Sequence, residues 1–245
     1  MGCQATNLHK EERKSKKNSG DYHWPALESN PEIFTKYLRA IGMEEEWQVC
    51  EIFGMDDDCL GFVPKPCLGV IVTFERNGSN IDDGRPGDGD SSDLVEFYMK
   101  QNQKLDNACG IIACLHTVLN HTQDVEIMKG SILDKFWKEV EDQNPKQRAN
   151  YLENFDEFQK EHKKYASKGQ TQAPTSSKQV KHHFVAFILN KEDQLIELDG
   201  TKTGPALILE DCKDLLKGVS SELQRRIKNK NITESLSMMA FTKTP

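Results

Sequence analysis

The sequence predicts a single α+β domain. Three observations carry this: both helical and strand patterns occur along the chain, the clearest strand pair is a hairpin and so antiparallel, and no internal repeat is present. Of 245 residues, 36% are hydrophobic and 29% charged, enough apolar material for one sizeable core and too much for a wholly disordered chain.

Residues 1–20 read as a polar, flexible, basic arm, and 21–245 as the single folded domain. Ordered structure is expected from Trp24 onward. Ser29-Asn30-Pro31-Glu32 then supplies a helix start: a capping side chain, a proline just inside and an acid near the positive end of the dipole. Ile33, Tyr37, Leu38 and Ile41 follow at helical spacing, and Gly42 ends the run. Residues 48–53 suit a strand. Residues 67–74 are almost continuously apolar, as in a central strand buried on both faces.

Residues 76–93 are rich in Gly, Asp and Ser. They lack the spacing and closing Glu of a calcium-binding EF-hand, so a flexible surface loop without metal is expected. A buried helix over 110–119, an amphipathic helix over 132–140 and another within 147–161 come next. Residues 163–181, polar with Gly169 and Pro174, read as a long loop. Strands at 183–189 and 195–198 form a hairpin across Asn190-Lys191-Glu192-Asp193. A helix over 211–226 and a strand over 236–242 finish the chain.

The formal net charge is −7. A protein this acidic is a poor general nucleic-acid binder, which needs basic surface to displace counterions. The arm holds Lys10, Arg13, Lys14, Lys16 and Lys17 against Glu11 and Glu12, a net +3 that leaves −10 on the body. No apolar run approaches the ~18–20 residues that span a bilayer, and no secretory leader is recognisable, so a soluble, cytoplasmic body is expected. The seven cysteines (3, 50, 59, 67, 109, 114 and 212) are odd in number and show no zinc-like spacing, which points to free thiols in a reducing compartment. Neither metal nor cofactor is called for.

One thiol stands apart. Cys109, in Asp106-Asn107-Ala108-Cys109-Gly110, directly precedes the buried helix. If Asp106 or Asn107 caps that helix, Cys109 lies in its first turn, where the dipole favours thiolate. Gly110 permits close approach by a substrate backbone. His116 is a poor base for it, because seven residues along one helix is a displacement of about 10 Å. His183 opens a strand and Asp199 closes the next. Both are eight residues from Lys191, so a hairpin centred there sets them opposite or nearly so. His182 and Glu197 are their rivals. Gln103, six residues before Cys109, can offer a side-chain N–H to an oxyanion beside the backbone N–H of Cys109.

These residues resemble a known family. Gln103 followed after five residues by Cys109-Gly110, with Asn107-Ala108 ahead of the cysteine, is similar to the active-site motif of the ubiquitin carboxyl-terminal hydrolases. His183-Phe184-Val185-Ala186 and Glu197-Leu198-Asp199-Gly200 resemble its histidine and aspartate motifs, in the same order. The likeness extends over about residues 22–243, including Trp24 through Glu32, Phe53-Gly54-Met55, Val63-Pro64-x-Pro66 and Gly169-Gln170-Thr171-x-Ala173-Pro174. It implies a papain-like cysteine peptidase core, with two lobes of helices around a central antiparallel sheet and a knotted chain path. A crossover loop over about 152–180 would arch over the site and exclude bulky leaving groups.

By the same resemblance Cys109 is the nucleophile, His183 the general base and acid, Asp199 the residue that orients it and Gln103 the oxyanion stabiliser. The implied substrate is the ubiquitin C-terminus joined to a small or flexible group, and the implied state is a monomer. Glu28 and Glu51 would meet the basic ubiquitin tail, with Trp24, Pro25 and Leu27 on the ubiquitin-facing edge. Two alternatives stay open, a hydrolase of a ubiquitin-like modifier and a ubiquitin-binding protein with vestigial catalysis.

Several features depart from the pattern. Asp106 places a negative charge near Cys109. Gln101 lies two residues from Gln103 and replaces it if the strand is shifted. The interval of 16 from His183 to Asp199 is one longer than expected, and Thr201 stands where an Arg is usual. The arm and the 76–93 segment have no counterpart. Met1-Gly2-Cys3-Gln4-Ala5-Thr6 fits an N-myristoylation pattern, with Cys3 placed for a second acyl chain and basic residues behind it. The arm is thus either a passive extension or a membrane tether for part of the protein.

Overall fold

The computed structural model describes residues 23–75, 85, 92–169 and 182–244. The arm, most of 76–93 and the crossover segment from 170 to 181 lie outside these residues.

The helix start read at Asn30 is present. In α1 (Pro31–Ile41) the Asn30 side chain accepts from the backbone N–H of Glu32 and Ile33, and Pro31 occupies the first turn. Gly42, at φ 123°, returns its N–H to the Leu38 and Arg39 carbonyls, a conformation that few side-chain-bearing residues adopt. The chain continues through β1 (Trp47–Ile52), α2 (Asp57–Gly61), β2 (Cys67–Glu75), α3 (Cys109–Leu119), α4 (Ile132–Val140), α5 (Pro145–Asn154) and α6 (Asp156–Ala166). It ends with β3 (His182–Leu189), β4 (Leu195–Leu198), β5 (Ala206–Leu209), α7 (Leu215–Lys228) and β6 (Leu236–Lys243). Two single 3-10 turns, Ser92–Leu94 and Gln103–Leu105, lie between β2 and α3.

The six strands form one antiparallel sheet in the order β1-β6-β2-β3-β4-β5. Strand β2 is central, as its continuous apolar run predicts. The two-residue period of the strands divides their side chains between two cores. Ile71, Ala186, Ile188, Ile196 and Met239 face the larger core with α3, while Val70, Val72, Phe74, Val185 and Phe187 join the smaller one with α7. Every residue of α3 is buried, since the sheet covers one side and the other helices cover the rest. Gly69 lets α3 approach β2: a Cβ there would stand 2.4 Å from Thr117 Cγ2.

Two expectations need correction. Helix α6 continues to Ala166, so 152–166 is largely helical and the polar loop starts only at Ser167. The short elements α2 and β5 had no periodic signal. The β3–β4 hairpin pairs Ala186 with Leu198 and Leu189 with Leu195, which centres it on Glu192 rather than Lys191. Its three-residue loop is closed by Asn190 N–H on the Gln194 carbonyl at 3.1 Å, with Asp193 at φ 57°. His183 and Asp199 therefore sit diagonally, at the mouth end of the hairpin. Diagonal cross-strand neighbours remain within reach of a long side chain.

Candidate active site

Cys109 is the first residue of α3, and Ala108 before it makes no side-chain cap. The expected capping by Asp106 or Asn107 does not occur. Leu105 instead turns the chain into the helix by accepting the Ala108 N–H at 2.9 Å. Since no side chain covers the first-turn N–H groups, the positive end of the helix remains directed at the thiol and at whatever binds beside it. Asp106 turns towards the N-terminal segment, with Oδ1 3.7 Å from His23 Nδ1.

His183 is 4% exposed, and its Nε2 lies 2.8 Å from Asp199 Oδ1. That bond commits Nε2 to the carboxylate and leaves Nδ1 as the nitrogen for the sulfur. Phe74 holds the ring edge-on, with centroids 6.0 Å apart. Burial by itself would lower the His183 pKa. The Asp199 charge and hydrogen bond, followed by the hydrogen bond and charge of Cys109, outweigh it and push the imidazole up to about 9. The two fully buried histidines without such a carboxylate bond behave oppositely: burial pulls His116 and His162 down to about 4.

His116 is confirmed as a core residue. Its Nε2 accepts the Met99 N–H at 3.1 Å, and its ring stacks on Tyr98. His182 is exposed, and Glu197 is fully buried in a pair with Arg226 at 2.5 Å, so neither rival enters the site.

Asp199 is fully buried and closes a tight turn in which Lys202 N–H reaches the Asp199 carbonyl at 3.0 Å. Its Oδ1 also accepts the Thr201 N–H at 2.9 Å and the Thr201 hydroxyl at 2.8 Å, an Asx-type turn that fixes the carboxylate. From behind, the Tyr98 hydroxyl donates to the carbonyls of Asp199 and Lys202, each at 2.8 Å. Gly200 lies in close approach to its neighbours, since a Cβ there would stand 3.2 Å from the Gln101 nitrogen and from the Met99 carbonyl oxygen.

The structure separates the two glutamines. Gln103 opens the 3-10 turn and is exposed. Gln101 is half-buried, donates its backbone N–H to the Gly200 carbonyl at 2.7 Å and its Nε2 to the Asp106 carbonyl at 2.7 Å. Gln101 is thus bonded to the segment that leads into Cys109. The Asn102 side chain accepts from Lys104 N–H and Leu105 N–H, which winds a turn into the segment between Gln101 and Cys109.

Of the residues expected on a ubiquitin-facing edge, Trp24 and Leu27 are buried side chains, 0% and 6% exposed, and Phe158 and His162 of α6 lie against Trp24. Trp24 lies on His162, whose Nε2 bonds the Pro25 carbonyl at 2.7 Å, and Pro25 itself is half-buried. Glu28 is half-buried beside Gly169, where a Cβ would stand 2.6 Å from Glu28 Oε2, and Glu51 is exposed on β1. Gly2 and Cys3 lie outside the described residues. Among the described residues no three His, Cys, Asp or Glu side chains are grouped to hold a metal ion. Tyr98, Thr201 and Gln101 are the site residues that sequence reasoning did not assign. Gln101 and Thr201 left traces there, as the rival glutamine and as the residue in place of a usual Arg.

Comparison with known proteins places this geometry in a family. The family model described as ubiquitin carboxyl-terminal hydrolase, family 1, matches residues 24–228. A ubiquitin carboxyl-terminal hydrolase of Drosophila melanogaster is 36% identical over 189 residues, covering 74% of this chain and 80% of that protein. Ubiquitin carboxyl-terminal hydrolase 3 of Arabidopsis thaliana is 32% identical over 213 residues, with 82% and 88% covered. Among solved structures, the Trichinella spiralis UCH37 catalytic domain bound to ubiquitin vinyl methyl ester superposes with a TM-score of 0.70 at 23% identity, covering 91% of this chain and 96% of that one. That likeness establishes the α+β, papain-like fold.

Proposed function

The chain belongs to the ubiquitin carboxyl-terminal hydrolase family, and from that membership we propose how its own residues carry the reaction. It is a cysteine-type deubiquitinase. Its substrate is ubiquitin bearing a small or flexible group on its C-terminus.

Cys109 attacks the C-terminal carbonyl of ubiquitin as a thiolate, with His183 already holding the proton. The negative oxygen of the tetrahedral intermediate is met by the Cys109 backbone N–H and by the Gln101 Nε2–H that Asp106 does not use. His183 then delivers its proton to the leaving amine, and the bond to it breaks. The resulting acyl-enzyme on Cys109 is hydrolysed by a water that gives its proton back to His183. Asp199 holds the ring throughout and favours its charged form.

The observation that carries this reading is the 2.8 Å bond from His183 to Asp199 beside a cysteine at the uncapped start of a helix. Turnover of a ubiquitin–fluorophore amide tests it, with Cys109→Ala and the same amide of a ubiquitin-like modifier as controls. Wild-type turnover of the ubiquitin amide alone, abolished in Cys109→Ala, is the expected result. Turnover that survives Cys109→Ala, or that prefers the ubiquitin-like amide, overturns it.

The same proposal includes a monomeric, cytoplasmic enzyme. A fraction of it is tethered to membranes through acylation of Gly2 and Cys3, which the N-terminal pattern and the following basic residues support. Intact-mass measurement of the cellular protein should show the added acyl mass, and Gly2→Ala should abolish it and release the membrane fraction.

A further inference from the structure

The carboxylate oxygen that orients His183 is shared. Asp199 Oδ1 takes three donors at once: His183 Nε2 at 2.8 Å, the Thr201 backbone N–H at 2.9 Å and the Thr201 hydroxyl at 2.8 Å. A carboxylate oxygen has two lone pairs, so three donors on one atom compete. The backbone N–H is fixed by the turn. The hydroxyl is the one donor whose presence depends on the side chain at 201, and any charge it draws from Oδ1 is charge the imidazolium does not feel.

We propose that Thr201 is a positioning residue of the catalytic site, whose hydroxyl both locks the Asp199 carboxylate and weakens its hold on the His183 proton. The inference rests on the hydrolase reading above and deepens it. Thr201 acts through Asp199, the residue its hydroxyl bonds. Its side chain is exposed while Asp199 is fully buried, so the hydroxyl is reached from the solvent side of a turn that Tyr98, Gln101 and Lys202 already hold from the protein side. Replacement at 201 therefore leaves the fold and the turn in place.

Among the described residues, other titratable groups face this pair from α3 and β4. Cys109 approaches from α3, and His116, also on α3, is kept neutral by burial above about pH 4. From β4, Glu197 bears on Asp199, but Arg226 at 2.5 Å and Arg85 at 4.0 Å sit on its own carboxylate. Replacing the Thr201 side chain removes the hydroxyl's bond to Oδ1 and keeps the backbone N–H bond to the same oxygen.

The test compares wild type with Thr201→Val, which keeps the shape and removes the hydroxyl, and Thr201→Ser, which restores it. Two readouts are used: imidazole NMR titration of His183 in the free protein, and the pH dependence of kcat/KM on a ubiquitin–fluorophore amide. Thr201→Val should raise the His183 titration and move the alkaline limb of the profile upward by about half a pH unit, with kcat/KM at the optimum down about threefold. Thr201→Ser should return all three towards wild type. Unchanged titration and profile in Thr201→Val, or a Thr201→Ser that behaves as the valine variant does, overturns the proposal. The hydrolase reading fails separately, if wild type itself does not turn over the amide. The NMR titration judges Thr201 even in that case.

Discussion

Asp199→Asn isolates the charge that maintains His183. Asparagine keeps the size of the side chain and an oxygen able to accept from His183 Nε2 and from Thr201, so the perturbation is chiefly electrostatic. The protein supplies its own reference for the size of the effect. His116 and His162 are fully buried without a bonded carboxylate and sit at about 4, whereas His183, equally enclosed, sits at about 9. The difference is about five pH units, roughly 7 kcal/mol at ~1.4 kcal/mol per unit, and Asp199 shares it with Cys109. If Asp199 supplies half, His183 in Asp199→Asn titrates near ~6.5 and the thiolate–imidazolium pair is depleted at neutral pH.

NMR titration of the imidazole and kcat/KM on a ubiquitin–fluorophore amide measure the two consequences. A fall in kcat/KM of ~10²–10⁴-fold is expected. Stability follows the same logic. The folded-state pKa of His183 is raised, so its contribution is complete below the unfolded value of ~6.5 and is lost as pH rises through about 9. Wild type should therefore exceed Asp199→Asn most in denaturant midpoint at about pH 6, and the gap should narrow towards about pH 10. A His183 that still titrates near 9 in the variant, or a kcat/KM within about threefold of wild type, would refute the reasoning.

Three further predictions follow from the geometry. Gln101→Ala should reduce kcat by ~10²-fold with little change in KM, while Gln103→Ala stays within about twofold; equal losses in steady-state kinetics would reverse the assignment. Arg226→Met leaves Glu197 buried with Arg85 4.0 Å away, and should cost roughly 3 kcal/mol by urea denaturation. Adding Glu197→Gln should recover part of that by removing the stranded charge, and no recovery counts against the account. Finally, the folded-state pKa of His162 is lowered, so the unfolded chain takes up a proton first: its burial is free of cost above ~6.5 and costs progressively more down to about 4, some 3 kcal/mol in all. His162→Gln should flatten the acid slope of the stability curve, and an identical slope would show that His162 is not responsible.

Much of this was legible in the chain because local rules and tertiary packing agree there. Asn30, Pro31 and Gly42 delimit α1 by the cap, proline and glycine chemistry that the structure shows. The apolar run of β2 lies at the centre of the sheet. Cys109, His183 and Asp199 come together although the hairpin register is off by one position in its centre, because the imidazole spans a diagonal.

The misreadings each have a physical source. Spacing along the chain cannot register the turn that Asn102 winds between Gln101 and Cys109, so it does not rank Gln101 against Gln103. Helix α6 is polar by composition, and only Phe158, His162, Tyr165 and Ala166 are buried on it, too thin a stripe to stand out from a loop. Once α6 is present, Trp24 must be core, since His162 and Phe158 cover it. Neither α2 nor β5 is long enough to establish a period.

The central claim is that Cys109 alone, among the thiols, is the nucleophile towards a ubiquitin C-terminus. Six free cysteines lie among the described residues, and Cys109 is one of three that are buried. Incubation with ubiquitin carrying a C-terminal electrophile, followed by intact mass and peptide mapping, tests this directly. The account predicts one stoichiometric adduct on Cys109, absent in Cys109→Ala. An adduct on any other cysteine, or folded wild type that binds ubiquitin without reacting, would contradict it.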